Sequence, residues 1–177
     1  MRFGIRSGLP SEPGRRVTVV SDTSVLLNLC LIGQQEILRV FFKQVWVPAE
    51  VKLEFENLVR TDLRFNSVAW PQWAEVHQPK NPKLPSLENW HLGPGEIHAL
   101  ALALEHGSTI LIDEKLGRRA ARQLGLQPLG VVGLLVEAKT RKLLPQLRPL
   151  FARLKQEAGF WVSEAVELRA LQEVGEA

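Results

Sequence analysis

Four carboxylates recur along this chain at positions of one kind. Asp22 ends the β-prone run Val17-Thr18-Val19-Val20-Ser21. Glu54 follows Pro48 in a helical run, and Glu96 opens the run that begins at Gly93. Asp113 ends Ser108-Thr109-Ile110-Leu111-Ile112, with Glu114 beside it. Clustered carboxylates repel one another and raise each other's pKa. A fold tolerates such a cluster most easily when a divalent cation sits in it, and Mg²⁺ and Mn²⁺ prefer carboxylate oxygens and water. Two such ions about 3.5–4 Å apart can activate a water and stabilise the leaving oxygen in phosphodiester cleavage. Each acid alone has a plainer role: Asp22 as a helix cap, Glu96 as a helix-dipole acid, Glu54 as a solvated residue like Glu50. Spacing does not choose between Asp113 and Glu114. Only the set, at the ends of successive elements, points to chemistry.

A basic stripe follows the last of these acids. Lys115, Arg118, Arg119 and Arg122 fall at i, i+3, i+4 and i+7 of one helix. Cations that hold phosphates, next to acids that hold a cation, are what a nuclease needs. From Lys115 to Lys155 ten basic residues stand against one acid, Glu137, although the whole chain carries only +3. A basic half favours a polyanionic partner over a merely solubilising surface.

Other chemistries fit less well. No Gly-x-Gly-x-x-Gly follows the first strand, and Gly93-Pro94-Gly95 lacks the lysine and hydroxyl of a phosphate loop. Ser24 has no nucleophile-elbow context. His77, His91, His98 and His106 show no zinc spacing. A haloacid-dehalogenase-like phosphatase would use Asp22 as nucleophile, but no aspartate stands two residues later.

The elements that must position the acids read as alternating strands and helices. Strands are expected at 17–21, at Gln44–Val47, at 74–77, at 108–112 and, short, at 127–130. Helices are expected at 34–42, 48–58, 93–106, 115–124, 131–140, 144–157 and 163–174, with one directly after Asp22. This pattern predicts a three-layer α/β/α domain with a mainly parallel sheet and right-handed crossovers. In such sheets function gathers at the carboxyl ends of the strands. The segment 62–92, punctuated by prolines and carrying Trp70, Trp73 and Trp90, lacks periodicity. It is expected to be a lid, a substrate wall or a dimer contact. Its tryptophans are expected to pack down a loop rather than stack bases.

The 177 residues, 45% of them hydrophobic, suffice for one domain with a real core. The expected division is a flexible leader over 1–16, or a start codon placed too early, and one domain over 17–177. The single cysteine, Cys30, reads as a small core residue and suits a cytoplasmic setting. No apolar run is long enough to cross a membrane.

Four segments together resemble a PIN domain: Val19-Val20-Ser21-Asp22-Thr23-Ser24, Val47-Pro48-Ala49-Glu50-Val51-Lys52-Leu53-Glu54, Leu92-Gly93-Pro94-Gly95-Glu96-Ile97, and Ile110-Leu111-Ile112-Asp113-Glu114-Lys115. More narrowly, they resemble the prokaryotic branch related to VapC-type toxins. The tail from Val131 to Val174, with Phe160-Trp161-Val162-Ser163, is similar to that branch as well. The resemblance implies a ribonuclease that depends on Mg²⁺ or Mn²⁺ held by Asp22, Glu54, Glu96 and Asp113. Ser24 would support the ligands, and Asp113 and Glu114 compete for the fourth position. It also implies RNA as substrate, a cognate antitoxin that covers the site, and a homodimer. The other reading is a non-catalytic PIN scaffold that binds RNA or a protein.

Overall fold

The structure, a computed structural model, describes residues 17–177; the expected leader over 1–16 lies outside the described residues. Two strands rich in β-branched residues fix the centre. β1 (Thr18–Ser21) and β4 (Thr109–Leu111) pair in parallel, with Val20 opposite Ile110. Val19, Val20, Ile110 and Leu111 are fully buried. A strand covered on both faces must be apolar on both, which is why neither run alternates.

β2 (Gln44–Val47) adds in parallel on the other side of β1. β3 (Glu75–Val76) follows β2, and β5 (Pro128–Leu129) closes the far edge beside β4. The order β3-β2-β1-β4-β5 is wholly parallel. Eight α-helices among the described residues flank it as a three-layer α/β/α fold: α1 (Thr23–Leu31), α2 (Ile37–Phe41), α3 (Ala49–Thr61), α4 (Pro94–His106), α5 (Lys115–Gln123), α6 (Val131–Thr140), α7 (Arg148–Ala158) and α8 (Glu164–Glu173). The chain leaves β1 towards β2 but leaves β4 towards β5. The order therefore reverses between β1 and β4, and a crevice opens at their carboxyl ends. Across that point the Asp22 N–H donates to the Leu111 carbonyl at 2.9 Å.

The segment 62–92 is held by packing. Trp70 meets Phe55 edge-on at 5.1 Å, Trp73 donates to Glu36 at 2.7 Å, and Trp90 lies under the Arg119 guanidinium. Cys30 is largely enclosed, and burial pushes its thiol up to about 12, so it holds no thiolate near neutrality. No helix among the described residues is long and apolar enough to cross a membrane.

Two helix starts differ from the expected ones. α2 begins at Ile37 rather than near Gln34. α7 begins at Arg148, not Leu144, because Leu147 and Arg148 find their cap far away in sequence. Their N–H groups donate to the Glu176 carboxylate at 2.8–3.0 Å, with Lys139 3.5 Å from it. Burial pushes the Glu176 pKa upward, but these donors and Lys139 outweigh it and hold the group below its ordinary value. A lowered carboxylate stabilises the fold above its unfolded pKa, and that contribution is lost as pH falls through the folded value. Glu176→Ala should therefore cost about 0.5–2 kcal/mol at pH 7, the usual worth of a helix cap. The deficit should shrink towards pH 3; a pH-independent deficit in thermal melts would contradict this.

Candidate active site

Asp22 is the hinge between β1 and α1. Its backbone is extended and its Oδ1 accepts from the Val25 N–H at 3.0 Å, so it caps α1. Its Oδ2 accepts from the Ser24 hydroxyl at 2.9 Å. The side chain is only 3% exposed. Capping therefore accounts for one face of the carboxylate and leaves the group in the crevice, where it lines a cleft of about 760 Å³.

Glu54, Glu96, Asp113, Glu114 and Lys115 line the same cleft, so the acids proposed from sequence share one space. Each is held by a different device. Glu54, on α3, accepts from the Thr23 hydroxyl at 2.6 Å. Glu96, in the first turn of α4, turns Oε2 back to the Gly93 N–H at 2.9 Å. Its Oε1 is buried with no hydrogen-bond partner among the described residues. Asp113, just past β4, accepts from the Val131 N–H at 3.1 Å, at the start of α6. Glu114 is exposed beside it. Glu50, one turn before Glu54, turns instead towards His98, 3.6 Å away, and Gln78.

Three glycines make the room. A Cβ on Gly95 would stand 2.7 Å from Glu54 Oε2. One on Gly117 would stand 2.7 Å from Glu96 Oε1, and one on Gly130 would collide with Asp113 Oδ1. Real Cβ atoms do not approach that closely, so any side chain there would push the carboxylate out of its seat. Sequence reasoning passed over Gly117 and Gly130 as ligand seats. A glycine inside a helix, which costs about 1 kcal/mol against alanine, was the available signal at Gly117. Thr23, Asn28 and Arg64 also line the cleft and were likewise passed over.

The basic stripe divides. Lys115 reaches the acid cleft. Arg118 and Arg122 line a neighbouring cleft of about 770 Å³, which shares Asp113 with the first. Arg118 donates to the Ile112 carbonyl at 3.1 Å and sits by Asp113. Arg119 faces away and covers Trp90.

Burial raises Asp22, Glu96 and Asp113 above the ordinary carboxylate range. It lifts Asp22 to about 8, against the Val25 and Ser24 hydrogen bonds, with Asp113 and Glu96 adding repulsion. It lifts Asp113 to about 6, and Arg118 only partly offsets it. Glu96 is raised by burial, with Glu114 and Glu54 adding to it. Among the described residues no three of His, Cys, Asp and Glu close into a ready-made ion cage. The acid side chains facing the cleft nonetheless offer only oxygens, and one of these, the buried Glu96 Oε1, has no partner. That donor set fits a hard divalent cation, whose charge would reverse the cost of ionising the group.

A raised carboxyl stabilises the fold below its unfolded pKa, and that stabilisation is lost as pH climbs through the folded value. Ionised Asp22 is thus a liability at neutral pH in the metal-free chain. An asparagine keeps the Val25 cap and can donate to Ser24. Asp22→Asn should therefore raise Tm in EDTA, by about 2–4 °C per kcal/mol recovered. The gain should widen from pH 5 to pH 8 and then level off; a loss of Tm, or a gain that narrows with pH, would contradict the burial cost.

Among known families, a model described as a PIN domain matches residues 18–176, nearly all of the described chain. No curated protein matches.

Proposed function

We propose that this chain, which belongs to the PIN-domain family, is a metal-dependent endoribonuclease. The observation that carries the reading is the shared cleft, where acids from four elements meet and a buried Glu96 oxygen has no partner. PIN domains are in general nucleases, and the cleft lies at the sheet's topological switch point, where α/β folds place their ligands.

Asp22, Glu54, Glu96 and Asp113 are the proposed ligands, with Glu114 as a further one. Mg²⁺ or Mn²⁺ held there would supply the charge that polarises an attacking water and offsets charge on the phosphate. The chain's own residues do the positioning. Ser24 fixes the rotation of Asp22, Thr23 fixes Glu54, and the Gly93 N–H leaves Glu96 with one oxygen aimed inwards. Lys115 at the cleft edge, with Arg118 and Arg122 beyond, neutralises the phosphates of the bound strand. Arg119 contributes at longer range from its place over Trp90. The resemblance to VapC-type proteins supports a finer reading: a cytoplasmic toxin, paired with an antitoxin that covers the cleft, and acting as a homodimer.

One observation favours the scaffold reading. Asp113 is already engaged by Val131 and lies beside Arg118. The decisive assay is cleavage of a mixed single-stranded RNA with Mn²⁺, with EDTA, and with Asp22→Asn or Glu96→Gln protein. The expected result is cleavage with Mn²⁺ alone, and a loss of at least about 100-fold in either variant, the scale of removing a group that stabilises developing charge. Full activity in EDTA or in Asp22→Asn would overturn the metal role. No cleavage by protein that binds RNA would favour the scaffold.

A further inference from the structure

The ridge between the two clefts carries an aromatic ring that the fold does not use. Gly159 ends α7 with φ 65°, and the chain turns there towards α8. Phe160 packs against the core, and its N–H donates to the Leu154 carbonyl at 3.0 Å. Its neighbour Trp161 is 83% exposed. Tryptophan is normally among the best-buried side chains, so this one gains little by facing water.

Its position gives it a partner. Trp161 lines the acid cleft together with Asp22 and Glu96, and also lines the adjoining cleft with Arg118 and Arg122. Among the described residues Arg122 makes no ion pair within 4 Å. A polyanion whose phosphate lies at the acids and whose next phosphates lie at the arginines must pass over this ring. The ridge is also held in place. Arg64, itself gripped by Asp62, donates to the Ala158 carbonyl at 2.9 Å at the base of the turn. A stacking surface fixed before binding loses little entropy when a base settles on it.

We propose that Trp161 is a base-stacking platform that makes the site selective for single-stranded RNA, an inference that rests on the nuclease reading. A base still paired in a duplex has no free face to lay on the ring, whereas an unpaired base of any identity does. Arg118 and Arg122 then hold the phosphates on the side of that nucleotide away from the acids. The platform sets strand state rather than sequence.

The test uses the full chain in an Asp22→Asn background, so that RNA survives the measurement. Fluorescence anisotropy would follow a mixed-sequence single-stranded oligoribonucleotide and its duplex. Because Trp161 is exposed, Trp161→Ala should melt like its parent. It should weaken single-strand binding by roughly 5- to 150-fold, the loss of one stacked base. Trp161→Phe should stay within about threefold, and duplex binding should ignore position 161. A 2-aminopurine in the single strand should be quenched, and Trp161→Ala should relieve the quenching. Equal single-strand affinity with tryptophan and alanine overturns the platform while leaving the nuclease reading standing. Failure of the Asp22→Asn protein to bind RNA, together with wild-type protein that neither binds nor cleaves it with Mn²⁺, overturns both.

Discussion

The structure turns on the cost of burying Asp22. The carboxylate sits where β1 hands over to α1, across from the end of β4, and almost no water reaches it. Burial alone pushes such a group towards its neutral form, and Asp113 and Glu96 push it further. A protein that needed only a helix cap would meet the same geometry with serine or threonine at less cost. Retaining an acid there, and turning further acids into the same cleft, makes sense when a cation completes the site.

The rest of the fold serves that placement. The parallel sheet aligns the ends of β1 and β4, and the reversal of strand order between them opens the crevice. The Thr23 and Ser24 hydroxyls, one residue apart, each hold a different carboxylate. Gly95, Gly117 and Gly130 keep helices α4 and α5 and the start of α6 close enough for Glu54, Glu96 and Asp113 to share one space. Each acid is thus held by a neighbour that is polar on one side and absent on the other.

Much of this was legible in the sequence. Residue types mark strand ends and helix starts, so Asp22, Glu96 and Asp113 could be placed from local pattern alone. Glu54 could be named but not distinguished from Glu50, since both lie on one helix face; the hydroxyl of Thr23, 31 residues away, makes the difference. The start of α7 was misread because its cap is Glu176, beyond any local window. The uniform stripe on α5 was a helical-wheel truth and a tertiary simplification. Trp90 takes Arg119, and the Ile112 carbonyl takes one nitrogen of Arg118. Trp161 carried no periodic signal. The sequence named Trp161 only within Phe160-Trp161-Val162-Ser163 and gave it no role; the tryptophans weighed for stacking, Trp70, Trp73 and Trp90, pack in the loop segment, while the exposed ring lies on the ridge between the clefts.

Under the proposed function, the buried acids are built for a divalent cation. The most direct measurement is Tm as Mn²⁺ is titrated into the metal-free protein at pH 8. A ligand that binds only the folded state stabilises it by RT ln(1 + [L]/Kd), about 2.7 kcal/mol at a hundredfold excess over Kd. Tm should climb with the logarithm of Mn²⁺ concentration in the wild type and stay nearly flat in Asp22→Asn. A wild-type Tm unmoved by millimolar Mn²⁺, or one that climbs equally in both proteins, would contradict it.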